Sequence, residues 1–522
     1  VLARSITDST RTLAFSCALL WLVHPLNSQC INYTIQRSES LVSLFYLLVL
    51  YCIARADQSD HARWSGVAVA AAILGMASKE VMVTAPLLAL IYDRIFVADS
   101  LRQIWQQRRS LHLGLFASWS MLALLQPGDA HGNSIGLDSN VSPWIYALNQ
   151  CWVIIDYLQK ILWPKTLILD YGFPRDLTIA DIWPQALFLT LSLTATIISI
   201  RHTPRFGFLP LAFFVVIAPT SSIIPLANEV GAERRVYLAM IGPIAILATA
   251  AHSLCQRFAI PRGYYTLAAL VLACGLGYRT IDRNRDYANS VAIWQTTAEM
   301  APHNPRAHNN LGFALDEEQQ SETAIVHYRQ ALAIDPEYPD AHYNLGNAYM
   351  SLKNWHEAIN HYRKMLAKES GYAPAHINLG NALKAQGEFE AAAQHYYAAK
   401  ILDPDNPASY INFGALLLTL EKYVQAADYF EQALDADPTH AGAHNNLGFA
   451  LRALNRFEEA EDHFRQACTL RPNFAEAHYN LGLSLRTLGQ AVEAAEQFRI
   501  TLKLRPTFNQ ARRALNEIEG KY

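Results

Sequence analysis

The sequence predicts an all-α protein in two parts: a polytopic bundle of membrane helices over residues 1–285, then a superhelix of stacked helical repeats over 286–522. Three observations carry this. Ala341-His342-Tyr343-Asn344-Leu345-Gly346 recurs with variation, and its glycines fall at 312, 346, 380, 414, 448 and 482, a step of 34 residues. A fixed period of that length marks units that bury a core only by stacking on their neighbours. Residues 12–280 hold long apolar runs, whereas 281–522 are charged and Ala-rich. The whole-chain values, 52% hydrophobic and 17% charged, therefore average two unlike halves.

A formal charge of −3 and the lack of any basic run give no sign of a nucleic-acid binder, and no nucleic-acid partner is expected. Six of the seven cysteines lie in or beside apolar runs, and neither a CxxC nor a Cys/His pair at zinc spacing occurs, so no metal site or disulfide framework is signalled. The chain opens on Val1, close to an apolar helix and with no signal-peptide pattern ahead of it, which predicts a natural N-terminus further upstream.

In the first half, a bilayer-spanning helix takes about 20 mostly apolar residues. The candidates are 12–26, 38–54, 64–78, 81–96, 111–125, 183–200, 206–220, 236–255 and 264–280, about nine crossings, with 64–96 also readable as one broken segment. Residues 145–163 are apolar but carry Asp156 and Lys160, and between Trp144 and Trp163 they read as a helix lying at the interface. Orientation follows from the positive-inside rule. Loop 94–110 holds Arg94, Arg102, Arg108 and Arg109 and is assigned to the cytoplasm; loop 126–143 has no Lys or Arg and is assigned outside. Nine crossings then place 27–37, 78–80, 126–182, 219–235 and the repeats outside.

Those external connections hold the polar residues that need a reason: His24, Arg37 with Glu39, Lys79 with Glu80, Asn228-Glu229, and Glu233-Arg234-Arg235. Unpaired ionisable groups at the edge of a bilayer are costly, so they pair with one another or build a site. Arg37, Lys79 and one of Arg234/Arg235 suit an anionic head group such as a phosphate. The competing reading makes the same residues interface anchors and local ion pairs.

In the second half, one unit reads His308-x2-Leu311-Gly312-x2-Leu315, Ala324-x3-Tyr328-x2-Ala331, Pro336. Gly312 and Ala324 are small where the two helices of a unit cross, Leu311, Leu315 and Tyr328 fill the gaps, and Pro336 ends the second helix. This is the tetratricopeptide pattern, with His in place of the usual first Trp. Carried backward, the register lands on Ser290, Trp294 and Pro302, so a half repeat (286–304) precedes six repeats (about 305–508) and a polar capping helix (509–522). The linker Arg279–Arg285 is too short and charged for a floppy tether.

Asn310, Asn344, Asn378, Asn412, Asn446 and Asn480 hold one place in all six units. An amide both donates and accepts, so such a file can hold an extended peptide backbone without reading its side chains. Otherwise Asn-Leu-Gly is only a favoured repeat spelling. His308, His342, His376, His444 and His478 read as packing residues. Equivalent atoms in successive repeats stand about 10 Å apart, too far for shared ligation through metal–nitrogen bonds of about 2 Å.

Taken in order, Trp21-Leu22-Val23-His24-Pro25, Tyr33-x3-Arg37-Ser38-Glu39, Ala77-Ser78-Lys79-Glu80, Pro164-x2-Leu167-x2-Asp170-Tyr171, Glu233-Arg234-Arg235-Val236-Tyr237-Leu238 and the repeats give the chain a resemblance. It resembles the transmembrane and tetratricopeptide-repeat-containing O-mannosyltransferases and their bacterial relatives, which are glycosyltransferases of the C-type fold. The resemblance implies a membrane glycosyltransferase that moves a mannose-like hexose from a polyprenyl-phosphate carrier to protein Ser/Thr hydroxyls, needing no other cofactor. It implies a base in a loop upstream of Val1, so the catalytic residue is unknown and the chain reads as N-terminally truncated. Arg37, Lys79, Arg234 and Arg235 become candidates for the donor phosphate, with His24, Glu39, Glu80, Asp170 and Glu233 in support. The implied partners are the bilayer, the lipid-linked sugar and an extended acceptor polypeptide on the repeats. The setting is an integral membrane protein of a bacterial inner membrane or a eukaryotic endoplasmic reticulum, with the repeats on the extracytoplasmic side. A non-catalytic membrane-anchored scaffold and an oligosaccharide ligase or polymerase remain the alternatives.

Overall fold

The computed structural model describes residues 8–32, 37–56, 61–125, 142–165, 167–219, 221 and 230–520, all helical or irregular, with Arg37 described in its backbone alone. The chain divides into two compact units, Val1–Ala314 and Leu315–Tyr522. The division falls later than the expected boundary at 285/286, inside the first repeat.

The first unit runs α1 (Asp8–Leu22), α2 (Ser28–Asn32), α3 (Arg37–Ala56), α4 (His61–Ser78), α5 (Ala85–Phe96), α6 (Leu101–Ala117), α7 (Trp119–Leu125), α8 (Pro143–Leu162), α9 (Ile179–His202), α10 (Pro204–Ile217), α11 (Ile241–Arg257), α12 (Arg262–Asp286), α13 (Ser290–Met300) and α14 (Pro305–Glu317), whose last residues pass into the second unit. Its core gathers Val42, Tyr46, Val49 and Ile53 of α3, Ala68, Ala71 and Ala72 of α4, Met82 beyond it, and Tyr157 of α8. The small α4 residues let the two backbones approach closely.

Every apolar run expected to span is at least partly helical, but the lengths differ from the expectation. Among the described residues, two helices are long and apolar enough to cross a membrane, Ser38–Ala56 and Ile179–His202, and Arg11–Leu22 and Pro204–Ile217 are shorter apolar helices. The run 64–96 is broken: α4 ends at Ser78, Lys79 is extended, and a 3₁₀ turn, Glu80–Thr84, leads into α5.

Two readings are corrected. The arginine-bearing stretch 94–110 is not an open loop, because α6 starts at Leu101. Arg108 is buried, donating to Asp93 Oδ1 at 2.8 Å, while His112 Nε2 meets Asp93 Oδ2 at 2.9 Å. The 145–163 helix is not simply laid on an interface either. α8 buries Tyr146, Val153, Tyr157 and Lys160 inside the unit, because Lys160 finds acidic partners there.

The second unit stacks helix pairs: α15 (Ser321–Ile334), α16 (Pro339–Ser351) with α17 (Trp355–Lys368), α18 (Ala373–Gln386) with α19 (Phe389–Leu402), α20 (Pro407–Thr419) with α21 (Tyr423–Ala436), α22 (Ala441–Ala453) with α23 (Phe457–Leu470), α24 (Ala475–Thr487) with α25 (Ala491–Leu504), and the closing α26 (Asn509–Glu519). The reason for the recurring glycine is direct. A Cβ on Gly346 would stand 2.6 Å from the Tyr362 ring, and on Gly380 2.5 Å from that of Tyr396. Both rings are fully buried, so the two helices meet only where one has no side chain.

Candidate functional site

Three connections of the first unit are stitched together largely by backbone groups. After α1, His24 caps a 3₁₀ turn, Pro25–Asn27, its Nδ1 accepting from Leu26 N at 3.2 Å and its Nε2 lying 3.1 Å from the Ile161 carbonyl. Gln29 on α2 spans two loops, donating to the Leu169 carbonyl at 3.0 Å and accepting from Arg234 N at 2.9 Å. The Tyr157 hydroxyl donates to the Ala232 carbonyl and accepts from Ala232 N, both at 2.7 Å. These bonds bring 24–32, 167–172 and 230–236 together, although they lie in three distant parts of the chain.

At the start of α3, Glu39 pairs with Lys79 at 2.5 Å; Glu39 is buried and Lys79 is 18% exposed. Arg234 acts on the same carboxylate electrostatically. Glu80 acts on that carboxylate in the opposite sense, so Lys79 and Arg234 are two cations set beside two acids at the start of α3. Glu80 faces solvent and makes no hydrogen bond or ion pair among the described residues. Arg235 turns away, its guanidinium 3.4 Å from the Tyr146 hydroxyl and 3.3 Å from the Val230 carbonyl. The Arg37 side chain and Asn228-Glu229 lie outside the described residues.

Glu233 does not stay with the arginines that follow it. Its Oε1 accepts from Ile168 N at 2.5 Å and lies 3.4 Å from Lys160 Nζ, while its Oε2 is buried without a hydrogen-bond partner. Burial raises its carboxyl above the usual range, against the opposing pull of Lys160 and Arg283. Lys160, expected with Asp156 on a helix at the interface, belongs to this buried cluster instead. It is 2% exposed, 2.9 Å from Asp156, 2.6 Å from the Tyr171 hydroxyl and 4.5 Å above that ring. Tyr171 in turn donates to Asp156 at 2.6 Å. The usable signal was an i,i+4 acid–base pair inside an apolar run.

Asp170 is also displaced from the expected cluster. Its Oδ1 accepts from Gly172 N at 2.7 Å, and its Oδ2 pairs at 3.0 Å with Arg306 of α14, while Asn304 donates to its carbonyl. Asp170 thus anchors the first repeat helix to the 167–172 loop.

The file of asparagines is half-buried and partly spent on the protein itself. Asn378 donates to Asn347 at 2.9 Å and to the Tyr343 hydroxyl at 3.2 Å, and Asn480 donates to Asn445 at 2.9 Å. Asn412 bonds back to the Ala408 carbonyl. Asn310 and Asn446 accept from the preceding asparagine, and Asn344 is engaged as well.

Tetratricopeptide-repeat family profiles match residues 317–353 and 450–489, 343–407, and 417–467. Protein O-mannosyl-transferase TMTC4 of Mus musculus is 23% identical over 365 residues, 60% of this chain and 48% of its own. TMTC1 of Homo sapiens is 23% identical over 62% of this chain and 42% of its own, and Tmtc3 of Drosophila melanogaster 23% over 63% and 42%. The chain spans less than half the length of these curated relatives. Among solved structures, Pseudomonas aeruginosa pilF aligns with 42% of this chain and 97% of its own at 24% identity and a TM-score of 0.37. The tetratricopeptide protein YrrB aligns with 36% and 96% at 22% identity and 0.31. The chain is therefore a distant homologue of the protein O-mannosyl-transferases, with tetratricopeptide repeats in its C-terminal half.

Proposed function

We propose that the protein is a polytopic membrane glycosyltransferase that accepts a mannose-like hexose from a polyprenyl-phosphate donor and passes it to Ser/Thr hydroxyls of a polypeptide held by the repeats. The observation that carries this reading is the Glu39–Lys79 pair with Arg234 in its field, at the end of a helix long enough to span a bilayer. A mere anchor has no use for a buried acid held by one lysine with an arginine in its field. When a polyprenyl phosphate leaves, negative charge grows on its oxygen, and fixed cations stabilise that charge without rearranging. Lys79 and Arg234 are assigned this work, with Glu39 holding the ammonium in place. Arg235 and Glu233 are assigned instead to shaping the 230–236 loop. Repeats of this class bind peptides through their stacked first helices, and the file of half-buried asparagines is assigned to an acceptor backbone.

The test is transfer of sugar from a polyprenyl-phosphate hexose to an acceptor peptide in membranes carrying the protein. Lys79→Ala and Arg234→Ala are each expected to lower kcat by about tenfold to a thousandfold, the scale for losing one electrostatic stabiliser. Unchanged transfer in both variants would refute the assignment. Retained peptide binding without transfer in the wild-type protein would favour a scaffold.

A further inference from the structure

A second amphipathic site lies apart from Glu39, Lys79 and Arg234. Between α1, the end of α8, α11 and α12 opens a cavity of about 640 Å³. Its walls are apolar, with Leu20, Ile244, Leu247, Ala248, Val271 and Leu276 among them. That volume falls within the range of pockets that enclose a lipid- or drug-sized molecule, about 300–1,000 Å³. The polar lining includes His24, Tyr265 and Arg279, and Trp163, 72% exposed, stands at the same place.

Arg279 also lines an adjoining cavity of about 130 Å³, together with Lys165, Arg283, Asp282 and Asp286. Its Nη2 is fixed by the Pro164 carbonyl at 2.9 Å and the Lys165 carbonyl at 3.2 Å, leaving Nε and Nη1 to donate elsewhere. Arg283 gives Nη1 to Asp286 at 3.3 Å, while its Nε and Nη2 are buried with no partner. Arg283 serves Asp286 and Glu233, which leaves Lys165 and Arg279 against Asp282 alone. The excess suits one anion, and the apolar cavity beside it suits a hydrocarbon chain.

We propose that this groove holds one net-anionic glycerophospholipid, its acyl chain along α11 and α12 and its phosphate on Arg279 and Lys165. The inference rests on reading the first unit as a membrane domain. Cationic side chains beside an interfacial tryptophan attract anionic lipid from the surrounding leaflet. A Cβ on Gly275 meets nothing within 4 Å, and Gly275 lines the cavity, so a larger side chain there enters the groove without displacing protein.

The experiment uses the full chain in nanodiscs of mixed phosphatidylglycerol and phosphatidylcholine, with bound lipid counted by mass spectrometry after detergent washing. The wild-type protein is expected to keep one phosphatidylglycerol per chain. Gly275→Phe should lower that retention about tenfold while melting as the wild type does, and Arg279→Gln should lower the preference for phosphatidylglycerol about tenfold, the value of one charge-assisted hydrogen bond. Equal retention in Gly275→Phe overturns the proposal, as does an unchanged headgroup preference in Arg279→Gln. Inorganic phosphate bound equally by wild type and Gly275→Phe would make this a free-phosphate site and overturn it too. A polyprenyl phosphate that displaces the phospholipid one for one would likewise overturn it, assigning the groove to the donor. Release of the chain from membranes at alkaline pH would defeat the membrane reading itself; a chain that stays in the membrane yet holds no lipid defeats only this inference.

Discussion

Lys160 shows how a charge is kept inside the first unit. Its ammonium lies within 3.4 Å of two carboxylates and 2.6 Å of a phenol hydroxyl, at 2% exposure. Withdrawing such a group from water costs several kcal/mol unless every partner is in place. Removing the lysine leaves Asp156 without its cation and Glu233 with only the field of Arg283, and Glu233 already holds one oxygen unpaired. Lys160→Met is therefore expected to destabilise the first unit by about 3–5 kcal/mol. Combining it with Glu233→Gln should recover part of that loss, because an amide carries no charge to strand. Thermal unfolding of both variants in detergent checks this, and a single variant as stable as the wild type would show that the pair contributes nothing. The same residue marks a limit of sequence reading. Asp156 and Lys160 stand four apart on one helix face and were legible as a pair, but Glu233 lies far along the chain. Nothing local tells that the pair turns inward.

At the scale of the helix pair, the repeats carry a recurring device. His342 and His361 meet Nδ1 to Nδ1 at 2.9 Å, as do His376 and His395 at 2.9 Å and His444 and His463 at 3.0 Å. The first histidine of each pair also bonds through Nε2 to a carbonyl, of Pro336, Ser370 and Pro438. A carbonyl only accepts, so Nε2 carries a proton and Nδ1 must accept from the second ring. Protonating the first ring at Nδ1 breaks the bond. Burial and then the neighbouring imidazole lower the pKa of His361 and of His395 to about 4, and burial lowers that of His463. A histidine whose folded pKa is depressed adds stability that is fully present above its ordinary value near 6.5. That stability is lost as the pH falls from there through 4. The last repeat supplies the control, with Gln497 standing opposite His478 at 2.8 Å. Replacing His361, His395 and His463 with Gln should leave the melting temperature at pH 7.5 close to wild type and reduce its fall between pH 6.5 and 4.5. Parallel melting curves for the two proteins over that range would rule out the histidines as the acid-sensitive element. The repeats were legible throughout, because Gly346 beneath the Tyr362 ring is a requirement that every unit must meet at the same spacing. The first half was legible as helices but not as lengths. Lys79 breaks 64–96 in order to reach Glu39, and α6 starts early enough to bring Arg108 to Asp93; both are contacts between segments that composition cannot foresee. Of the phosphate candidates, Lys79 pairs with Glu39 and Arg234 acts on the same carboxylate, whereas Arg235 turns to Tyr146 and Val230.

For the whole molecule the governing quantity is the solvent each unit meets. α9 is a 24-residue helix in which only Ile182 and Thr196 are buried, while Leu187, Phe188, Leu191 and Ile198 stand at least half exposed. In water this would be an apolar patch far larger than soluble proteins tolerate. In a bilayer it is ordinary, since such a helix is about 36 Å long against a hydrocarbon core of about 30 Å. Its ends carry interfacial marks, Trp183 at one and Arg201 with His202 at the other. Exposed positions of the repeats obey the opposite rule, with Arg–Glu pairs such as Arg465–Glu493 and Arg486–Glu517 covering the surface. A charge on the exposed face of α9 should therefore act on membrane integration, and a charge on the repeats should not. Each aspartate near the middle of a spanning helix opposes insertion by about 2.5–3.5 kcal/mol. Leu191→Asp with Ile198→Asp is expected to move much of the chain from the alkali-resistant membrane fraction into the extractable or degraded one. Val424→Asp, at an exposed position of α21, should leave the fractionation as it is. Unaltered fractionation of the α9 double variant would mean that another protein surface, not lipid, covers this helix.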